Sequence, residues 1–423
     1  MPNKIKKISA MEILDSRGNP TVEATVELNT GVSASASVPS GASTGRFEAH
    51  ELRDGNMSRY GGQGVLKAVD NINKLINDAL NGLVITEQKK IDETMIALDG
   101  TKNKSKLGAN AILAVSLAAS QAGAKSQNLQ LYEYLRILYN PKLKKYSLPT
   151  PVVNVINGGL HGATNINLQE FWLVPSKAKD FSEKIRQASE IFHELGNLMK
   201  AIGLDTDLGN EGGYSPDIDS HSRVFELLLQ ATENSGYIPG EDIYFGIDAG
   251  ASEFFNSNSG KYELKLENKE FSSDELIDFY LNLMEIYPLR FLEDPLDQED
   301  WSSWRDFSRD DFIKSHDVKI IGDDIFVTNL ERLKKGVSMG VANTILIKPN
   351  QIGTLTETLA TISFARSSNY DIMVSHRSGE TLDTSIADLA VAVNADYIKT
   401  GSTARGERIA KYNRLLSIEQ KIK

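Results

Sequence analysis

The most constraining feature of this sequence is the stretch from Val318 to Lys348, in which two short apolar strands flank an amphipathic helical segment. Each strand ends in charge, because Asp323 and Asp324 close the first strand and Lys348 closes the second. A strand that is buried on both faces is a continuous run of Val, Ile and Leu. An ionisable side chain at its last position is therefore expected to face a site.

The same pattern repeats on both sides of this stretch. IYFGID ends at Asp248, LRFLED at Glu293 and Asp294, IMVSH at His376 and YIKT at Lys399, and a helical segment separates each pair. Charged residues at the carboxyl ends of successive parallel strands are typical of the active site of a (β/α)8 barrel. The sequence therefore predicts an α/β fold with a TIM-type barrel.

The chain is longer than one core usually supports. It has 423 residues, whereas a barrel takes roughly 250. Strand-like alternation followed by helical periodicity predicts an N-terminal α+β domain over residues 1–140, a meander followed by helices, and the barrel over residues 141–423. The basic, Pro-containing segment 142–151 is expected to be the linker. We predict meander strands at 4–15, 21–28 and 32–38, and helices at 64–80, 87–98 and 107–126.

The start of the barrel departs from a regular alternation of strands and helices. The first two strand candidates, 152–156 and 171–174, have no helix between them, so the second is expected to run antiparallel to the first. Two helices at 180–202 and 220–235 follow, which predicts a ββαα(βα)6 topology. Because successive strands and helices then run in alternating directions, Glu170 and the loop containing Glu211 are expected at the same end of the barrel as the charged strand ends. Segment 254–266 is predicted to be a small hairpin.

Composition excludes several classes of function. The net charge of −11 and the isoelectric point near 5.2 argue against nucleic acid or an anionic membrane as partners. The absence of cysteine excludes disulfides, thiolate metal sites and a cysteine nucleophile. We expect no membrane span, and because the Lys-rich start lacks an apolar core for secretion, we expect a cytoplasmic protein.

The strand ends carry two kinds of charged side chain. Asp248, Glu293 and Asp323 lie on three consecutive strands, and hard oxygen ligands of this kind suit Mg²⁺. The alternative is that they form salt bridges with neighbouring basic side chains. Lys348 and Lys399, two strands apart, are candidates for a general base, because a nearby cation would push a lysine toward its neutral form. Alternatively, each lysine only neutralises the carboxylates.

Residues outside the strand ends give weaker signals. Glu170 and Glu211 could form a pair in which one carboxyl group stays protonated and acts as an acid, or they could be helix caps or surface loop residues. His161 and His376 could equally be ordinary polar residues, although SHRSGE groups His376 with donors suited to phosphate. GASTG at 41–45 lacks the GK[ST] of a nucleotide-binding loop and fits a mobile lid better.

These residues belong to a set of motifs that resembles the enolases along almost the whole chain. The motifs SRGNPTVE, VPSGASTG, LQEF, NEGG, LEDP, GDD, IKPNQIGTL, SHRSGET and IKTG occur in the enolase order. The resemblance implies a lyase, phosphopyruvate hydratase, that reversibly dehydrates 2-phospho-D-glycerate to phosphoenolpyruvate in glycolysis and gluconeogenesis. It also implies two Mg²⁺ ions per active site, a small-molecule substrate and a homodimer or higher oligomer.

The resemblance also implies a role for each site residue. Lys348 would be the base and Glu211 the acid. The metal ligands would be Asp248, Glu293 and Asp323, with Ser43 of the lid joining the second Mg²⁺. The substrate contacts would be His161, Glu170, Glu293, Asp323, His376, Arg377, Ser378 and Lys399, with Arg377 and Ser378 on the phosphate and Lys399 on the carboxylate.

Three positions depart from the family pattern. Asn210 replaces the usual Asp before the acid, Gly162 replaces the Ala after the lid histidine, and Gly406 replaces a Ser or Thr. We expect Asn210 to alter the tuning of Glu211 and Gly162 to loosen the lid. The alternatives are another acid dehydratase of the superfamily, or a scaffold or surface-binding protein on the same fold. The resemblance also allows a cell-surface or secreted fraction.

Overall fold

The computed structural model describes residues 2–42 and 44–423. The chain begins with an antiparallel meander in which each strand pairs with the next: β1 (Ile5–Leu14), β2 (Pro20–Leu28) and β3 (Ser33–Ser37). Fully and partly buried residues alternate along much of β2, because one face of the sheet packs against a helix. The predicted meander is confirmed.

Helices follow the meander and cover it. They are α1 (Leu66–Asn71), a π-helical turn (Ile72–Ile76), α2 (Asn77–Leu80), α3 (Gln88–Asp99), α4 (Ala109–Ser126) and α5 (Leu131–Tyr139). The Ala-rich α4 is buried along almost its whole length and packs against β2 and β3. The sequence interpretation missed α5. Its first turn is capped by Gln130, a residue outside the usual N-cap set, whose N–H donates to Glu133 (2.8 Å).

Eight strands close into a barrel. In chain order the barrel strands are β4 (Thr150–Asn157), β5 (Glu170–Pro175), β6 (Ile243–Asp248), β10 (Leu289–Glu293), β11 (Lys319–Gly322), β12 (Thr344–Ile347), β13 (Asp371–Ser375) and β14 (Tyr397–Lys399). Between β6 and β10 the chain forms a separate small sheet of β7 (Phe255–Asn256), β8 (Lys261–Leu264) and β9 (Lys269–Phe271). β5 is antiparallel to β4 and β6, and the other barrel pairs are parallel. The barrel prediction and the antiparallel second strand are confirmed.

The helices of this region are α6 (Phe181–Ala201), α7 (His221–Asn234), α8 (Ser273–Ile286), α9 (Trp301–Ser308), α10 (Asp311–Ser315), α11 (Leu330–Met339), α12 (Pro349–Ile352), α13 (Leu355–Ser367), α14 (Ser385–Ala392) and α15 (Gly406–Ile422). Helix α6 follows β5 and α7 precedes β6, as the ββαα start requires. The prediction of a hairpin at 254–266 was incomplete, because a third strand, β9, follows and pairs with β8. Asn268, with a φ of 50°, lies in the turn between β8 and β9.

The barrel interior contains a small apolar cluster from six of the eight barrel strands: Val152, Trp172, Val174, Phe291, Ile321, Leu346 and Met373. A larger core lies between the strands and the surrounding helices, and the N-terminal region has a core of its own. Two separate larger cores support a division into two domains, although the boundary near residue 140 stays a prediction. Among the described residues, no helix combines the length and apolar character needed to cross a bilayer.

The N-terminal region is hydrogen-bonded to the barrel. On α3, the buried Asp92 accepts hydrogen bonds from the backbone N–H (3.0 Å) and hydroxyl (2.5 Å) of Thr356 on α13. Ser40 and Gly379 exchange backbone hydrogen bonds of 2.8 and 2.9 Å. These contacts bring the segment around the predicted lid to the mouth of the barrel.

Candidate active site

Charged side chains collect at one end of the barrel because its parallel strands all point their carboxyl ends there. In the strand register, Glu293 lies beside Asp248, and Lys399 lies beside Ser375. Glu170, at the start of the antiparallel β5, also pairs with Asp248. The structure therefore places these charged residues at one end of the barrel, as the alternating directions of the strands and helices predict.

Lys399 is the centre of one group of carboxylates. Its Nζ donates to Asp248 (3.0 Å) and to both oxygens of Glu293 (2.9 Å each), and it lies 3.1 Å from Glu170 Oε1 and 4.6 Å from the centre of the Trp172 ring. Burial acts to lower the pKa of Lys399, but the surrounding carboxylates raise it well above its usual value. Lys399 is thus a cation held by protein carboxylates, and its contact with a substrate carboxylate stays a prediction.

Lys348 forms a second group with Asp323. The Lys348 ammonium pairs with Asp323 Oδ2, while Gln351 Nε2 donates to Asp323 Oδ1 (2.8 Å). The Thr328 hydroxyl in turn donates to Gln351 Oε1 (2.8 Å). Burial acts to lower the pKa of Lys348, but Asp323 outweighs it and the pKa is raised. The expectation of a lysine pushed toward its neutral form is therefore not met in this arrangement, because its closest neighbour is an anion.

A third carboxylate cluster adjoins Asp323. Oxygens of Asp294, Asp323 and Asp324 lie within 4.8 Å of one another. Asp294 accepts the backbone N–H groups of Asp323 (3.0 Å) and Asp324 (2.9 Å), so it fixes the turn that follows β11. Burial, followed by the neighbouring carboxylates, raises the pKa of Asp294 and of Asp324 well above the usual value.

The strand-end residues have the chemistry that a divalent cation requires. The candidate ligands Asp248, Glu293 and Asp323 offer only carboxylate oxygens, which Mg²⁺ prefers. Asp248 Oδ1 is buried without a hydrogen-bond partner among the described residues. Burial and the Asp248 charge raise the pKa of Glu293 well above the usual value. A set of buried carboxylates with one unpartnered oxygen fits a hard cation.

Glu211 lies at the other side of the cavity mouth, in the loop between α6 and α7. Its Oε1 is 3.6 Å from His161 Nδ1, and its Oε2 is 3.1 Å from His376 Nε2 and accepts from Asn154 Nδ2 at 3.2 Å. The same His161 nitrogen lies 3.2 Å from Glu170 Oε1. Two histidines therefore surround the predicted acid, and one of them links it to Glu170.

The protonation of this group differs from the expectation. A paired carboxylate was expected to raise the pKa of Glu211, but although burial acts in that direction, His376 and His161 bring the pKa well below its usual value. The pKa of Glu170 is also lowered, against burial and the Glu211 charge, by Lys399 and His161. The pKa of His161 is raised because the two carboxylates outweigh its burial. The directions of these shifts favour a proton on the imidazole over one on either carboxylate.

The predicted phosphate donors contact the N-terminal region. Arg377 donates through Nη1 to Glu48 Oε2 (3.0 Å) and through Nη2 to Glu48 Oε1 (3.1 Å). The Ser378 hydroxyl accepts the backbone N–H of Ala42 (2.7 Å). An anion that binds Arg377 would compete with Glu48 for the same donors. The predicted metal ligand Ser43 lies outside the described residues.

Two family models match this chain. The model "Enolase, N-terminal domain" matches residues 5–135, and the model "Enolase, C-terminal TIM barrel domain" matches residues 145–423. The chain belongs to the enolase family. Membership supports an enolase-superfamily function, and enolases typically use Mg²⁺, which agrees with the acidic clusters at the strand ends.

Two of the departures from the enolase pattern can be read from the packing. A Cβ at Gly162 would lie 2.8 Å from the backbone oxygen of Asn157 and 2.5 Å from the Ser215 hydroxyl. Gly162 therefore allows two chain segments to pack closely, whereas its flexibility was expected to loosen the lid. A Cβ at Gly406 would meet nothing within 4 Å.

Sequence reasoning missed several residues that position the site. Gln351 lies three residues after Lys348, where the short helix α12 returns a side chain to Asp323. Arg408 is fully buried on α15, on the same helical face as Tyr412 and Leu415. A charged residue on the apolar face of an amphipathic helix was a signal that could have identified it. No comparable signal in the sequence marked Glu48.

Proposed function

We propose that this protein is an enolase in activity as well as in fold, which reversibly dehydrates 2-phospho-D-glycerate to phosphoenolpyruvate with two Mg²⁺ ions. The reaction removes a proton beside the substrate carboxylate and a hydroxyl group from the next carbon. A catalyst therefore needs a base and an acid at separate places around one cavity, together with cations that hold the substrate anion.

One observation supports the proposal most strongly. Lys348 and Glu211 line the same cavity but come from different parts of the barrel. Lys348 follows β12. Glu211 lies beside β4 and contacts His161, which in turn contacts Glu170 on β5. In the closed ring of eight strands, β12 and β5 are four strands apart. A base and an acid in this relation can act on different faces of one substrate.

On the side of the base, Lys348 would take the proton beside the carboxylate once its pairing with Asp323 is weakened. When bound to Asp248, Glu293 and Asp323, Mg²⁺ would neutralise these carboxylates and the negative charge that develops on the substrate carboxylate. Lys399, held at the same strand ends, would add a fixed positive charge toward that carboxylate.

On the side of the acid, Glu211 acts together with His161 and Glu170. Because the pKa of Glu211 is low and that of His161 is raised, the proton that leaves with the hydroxyl would pass from His161 through Glu211. The proton taken by Lys348 and the proton delivered on this side balance the loss of one water molecule. Arg377 and Ser378 would hold the phosphate after Glu48 is displaced.

The direct test is a turnover assay with 2-phospho-D-glycerate, in which the ultraviolet absorbance of phosphoenolpyruvate is followed with and without Mg²⁺. We expect absorbance to rise only when Mg²⁺ is present and to stop when a chelator is added. No signal under either condition would contradict the proposal. Turnover of a sugar acid in its place would favour another dehydratase of the superfamily, and no turnover of either would favour a binding role.

Several expectations belong to the same proposal. Residues 1–140 and 141–423 would be the two domains, and the enzyme would work in the cytoplasm in glycolysis and gluconeogenesis as a homodimer or higher oligomer. Light scattering of the purified protein would measure the oligomeric state directly. Ser43 would join the second Mg²⁺ from the lid.

A further inference from the structure

Arg408 is a fully buried arginine behind the candidate active site, and it joins two of its segments. The guanidinium donates to His376 Nδ1 (2.7 Å), to the backbone oxygens of Arg377 (2.6 Å) and Ser378 (2.6 Å), and to the backbone oxygen of Asn210 (3.1 Å). The first three contacts hold the segment after β13, and the fourth holds the loop that carries Glu211. One side chain therefore connects both.

The contact with His376 determines where the imidazole carries its hydrogen. A guanidinium has donors only, so the nitrogen that faces it must accept with its lone pair. His376 Nδ1 is therefore unprotonated, and the hydrogen of the neutral ring lies on Nε2. If the ring were doubly protonated, the N–H at Nδ1 would face the N–H of the Arg408 guanidinium, and two donors would repel each other. Burial lowers the pKa of His376, and Arg408 adds to this effect against Glu211, which agrees with a neutral ring.

The hydrogen on Nε2 is directed into the candidate site. Nε2 lies 3.1 Å from Glu211 Oε2, and His376 lines the same cavity as Lys348. Among the described residues, no acceptor is aligned for a hydrogen bond with this buried nitrogen. The donor is thus positioned beside the acid at the wall of the cavity.

We propose that Arg408 is a positioning residue that holds His376 as the Nε2–H tautomer, so that this hydrogen stabilises Glu211 and the leaving hydroxyl group. The part that concerns the hydroxyl rests on the proposed function. The part that concerns the tautomer rests only on the hydrogen bonds of Arg408.

A purely structural role is the competing explanation, because three of the four contacts of Arg408 are with backbone oxygens. The protein contains an arginine of that kind: Arg136 on α5 is also buried and donates to the backbone oxygens of Val391 (3.0 Å) and Lys145 (2.9 Å) and to the side chain of Asn394 (2.6 Å). Arg136 contacts no histidine in these bonds. A measurement on the His376 ring itself therefore separates the two roles.

The first experiment is nitrogen NMR on the protein labelled with 15N-histidine, with the His376 signals assigned by their loss in a His376→Gln variant. At neutral pH we expect His376 to show one protonated nitrogen, Nε2, and one unprotonated nitrogen, Nδ1. A ring protonated on Nδ1, or on both nitrogens, would overturn the proposal. This measurement needs no substituted arginine and no active enzyme.

The second experiment compares Arg408→Met with a matched control. Arg405→Met is the control, because Arg405 donates to the backbone oxygens of Gly209 (2.9 Å) and Leu208 (2.7 Å) in the Glu211 loop but has no bond to His376. We expect Arg408→Met to give a mixture of His376 tautomers and a kcat that falls about 100-fold, with KM changed less. Arg405→Met should keep one tautomer and lose less kcat than Arg408→Met, because it loosens the Glu211 loop without touching His376.

The outcome that would overturn the proposal is an unchanged His376 tautomer in Arg408→Met, whatever the loss of kcat, because the loss would then come from the loops. If Arg408→Met does not fold, Arg408→Lys replaces it, since lysine keeps a charge and at least one donor, and we expect partial retention of the tautomer. A protein without turnover of 2-phospho-D-glycerate would contradict the proposed function, while the NMR result would still decide the tautomer.

Discussion

The candidate active site has two halves that are built differently. The strand-end half consists of Asp248, Glu293, Asp323, Lys348 and Lys399. The loop half consists of His161, Glu170, Glu211, His376 and Arg408. In the first half every charged group comes directly from the end of a regular strand, and the ion pairs join one strand end to another. The second half combines two loop residues, His161 and Glu211, with residues from a strand start, a strand end and a helix, and Arg408 holds these segments partly through bonds to backbone atoms.

The difference teaches how the two halves respond to change. A strand end is fixed by the barrel hydrogen bonds, so removal of one side chain should leave its neighbours in place and remove only that charge. The loop half depends on mutual contacts. His161, for example, belongs to a segment in which Gly162 packs too closely for a Cβ, and the backbone oxygen of His161 accepts from Asn210. A change in this half should therefore spread to several groups.

The largest effect is expected for Lys348→Ala. Because no other lysine lies at the end of β12, the variant should lose both phosphoenolpyruvate formation and exchange of the substrate proton beside the carboxylate, by about 10⁴-fold. Proton NMR in heavy water measures exchange, and Lys334→Ala on α11 serves as the control, since among the described residues its exposed side chain pairs only with Glu331. Exchange at the normal rate in Lys348→Ala would remove Lys348 from the role of base.

Mg²⁺ affinity should distinguish a variant of the strand-end half, Asp323→Asn, from a variant of the loop half. Loss of one carboxylate ligand should weaken binding at least about 10-fold in titration calorimetry, whereas Glu211→Gln in the loop half should change it less than about 3-fold. Equal weakening in the two variants would show that the halves do not divide as described. A normal affinity in Asp323→Asn would exclude Asp323 as a ligand.

A smaller effect is expected for Glu48→Gln. Glu48 is the bidentate partner of Arg377 and holds the pKa of that guanidinium above its usual value, despite its burial. Removal of this charge removes a competitor for the phosphate group, so we expect KM for 2-phospho-D-glycerate to fall about 3- to 10-fold with little change in kcat. The same variant should bind inorganic phosphate more tightly. A higher KM would mean that Glu48 supports the bound state.

The smallest effect on turnover is expected outside both halves, at Asp92. Burial raises the pKa of Asp92 to about 6, while its hydrogen bonds with Thr356 act against burial. The folded protein therefore keeps this proton at a pH where the unfolded chain loses it, and the free energy of unfolding should decrease as the pH rises from about 4 to 6. The difference from the ordinary pKa of 3.8, at about 1.36 kcal/mol per pKa unit, corresponds to about 3 kcal/mol.

Asp92→Asn should remove most of this pH dependence and leave kcat unchanged. Urea unfolding of both proteins at several pH values between 4 and 7 measures the difference. At neutral pH the variant should gain less than this difference in its free energy of unfolding, because the amide of Asn replaces one carboxylate acceptor by a donor next to Gln88 Nε2. An identical slope in the two proteins would show that Asp92 does not titrate in this range.

The sequence predicts the strand-end half well, for a physical reason. An apolar run that ends in charge locates both the strand and its functional residue, so Asp248, Glu293, Asp323, Lys348 and Lys399 follow from one rule. The antiparallel start also follows, because segment 157–169 contains no crossover helix. Helix α5 and strand β9 were missed because each depends on a local turn, at Gln130 and Asn268, that composition does not reveal.

Apart from His376, which ends a predicted strand, the loop half could not be predicted in the same way. Spacing alone leaves Glu170, Glu211 and His161 with ordinary alternatives, and the enolase resemblance carried their assignment. The direction of their pKa shifts depends on three-dimensional neighbours such as His376, which lies 3.1 Å from Glu211 but far from it in the sequence. Pairings such as Glu48 with Arg377 and Arg408 with His376 likewise join segments that no local pattern connects.

The central claim is that the two halves carry separate proton transfers, and Glu211→Gln tests it most directly. In heavy water with Mg²⁺, the variant should still exchange the substrate proton beside the carboxylate, because Lys348 and the strand-end carboxylates remain, and it should form almost no phosphoenolpyruvate. Proton NMR follows both processes in one sample. Loss of exchange together with loss of phosphoenolpyruvate formation in a folded, Mg²⁺-binding Glu211→Gln protein would contradict the division into two halves.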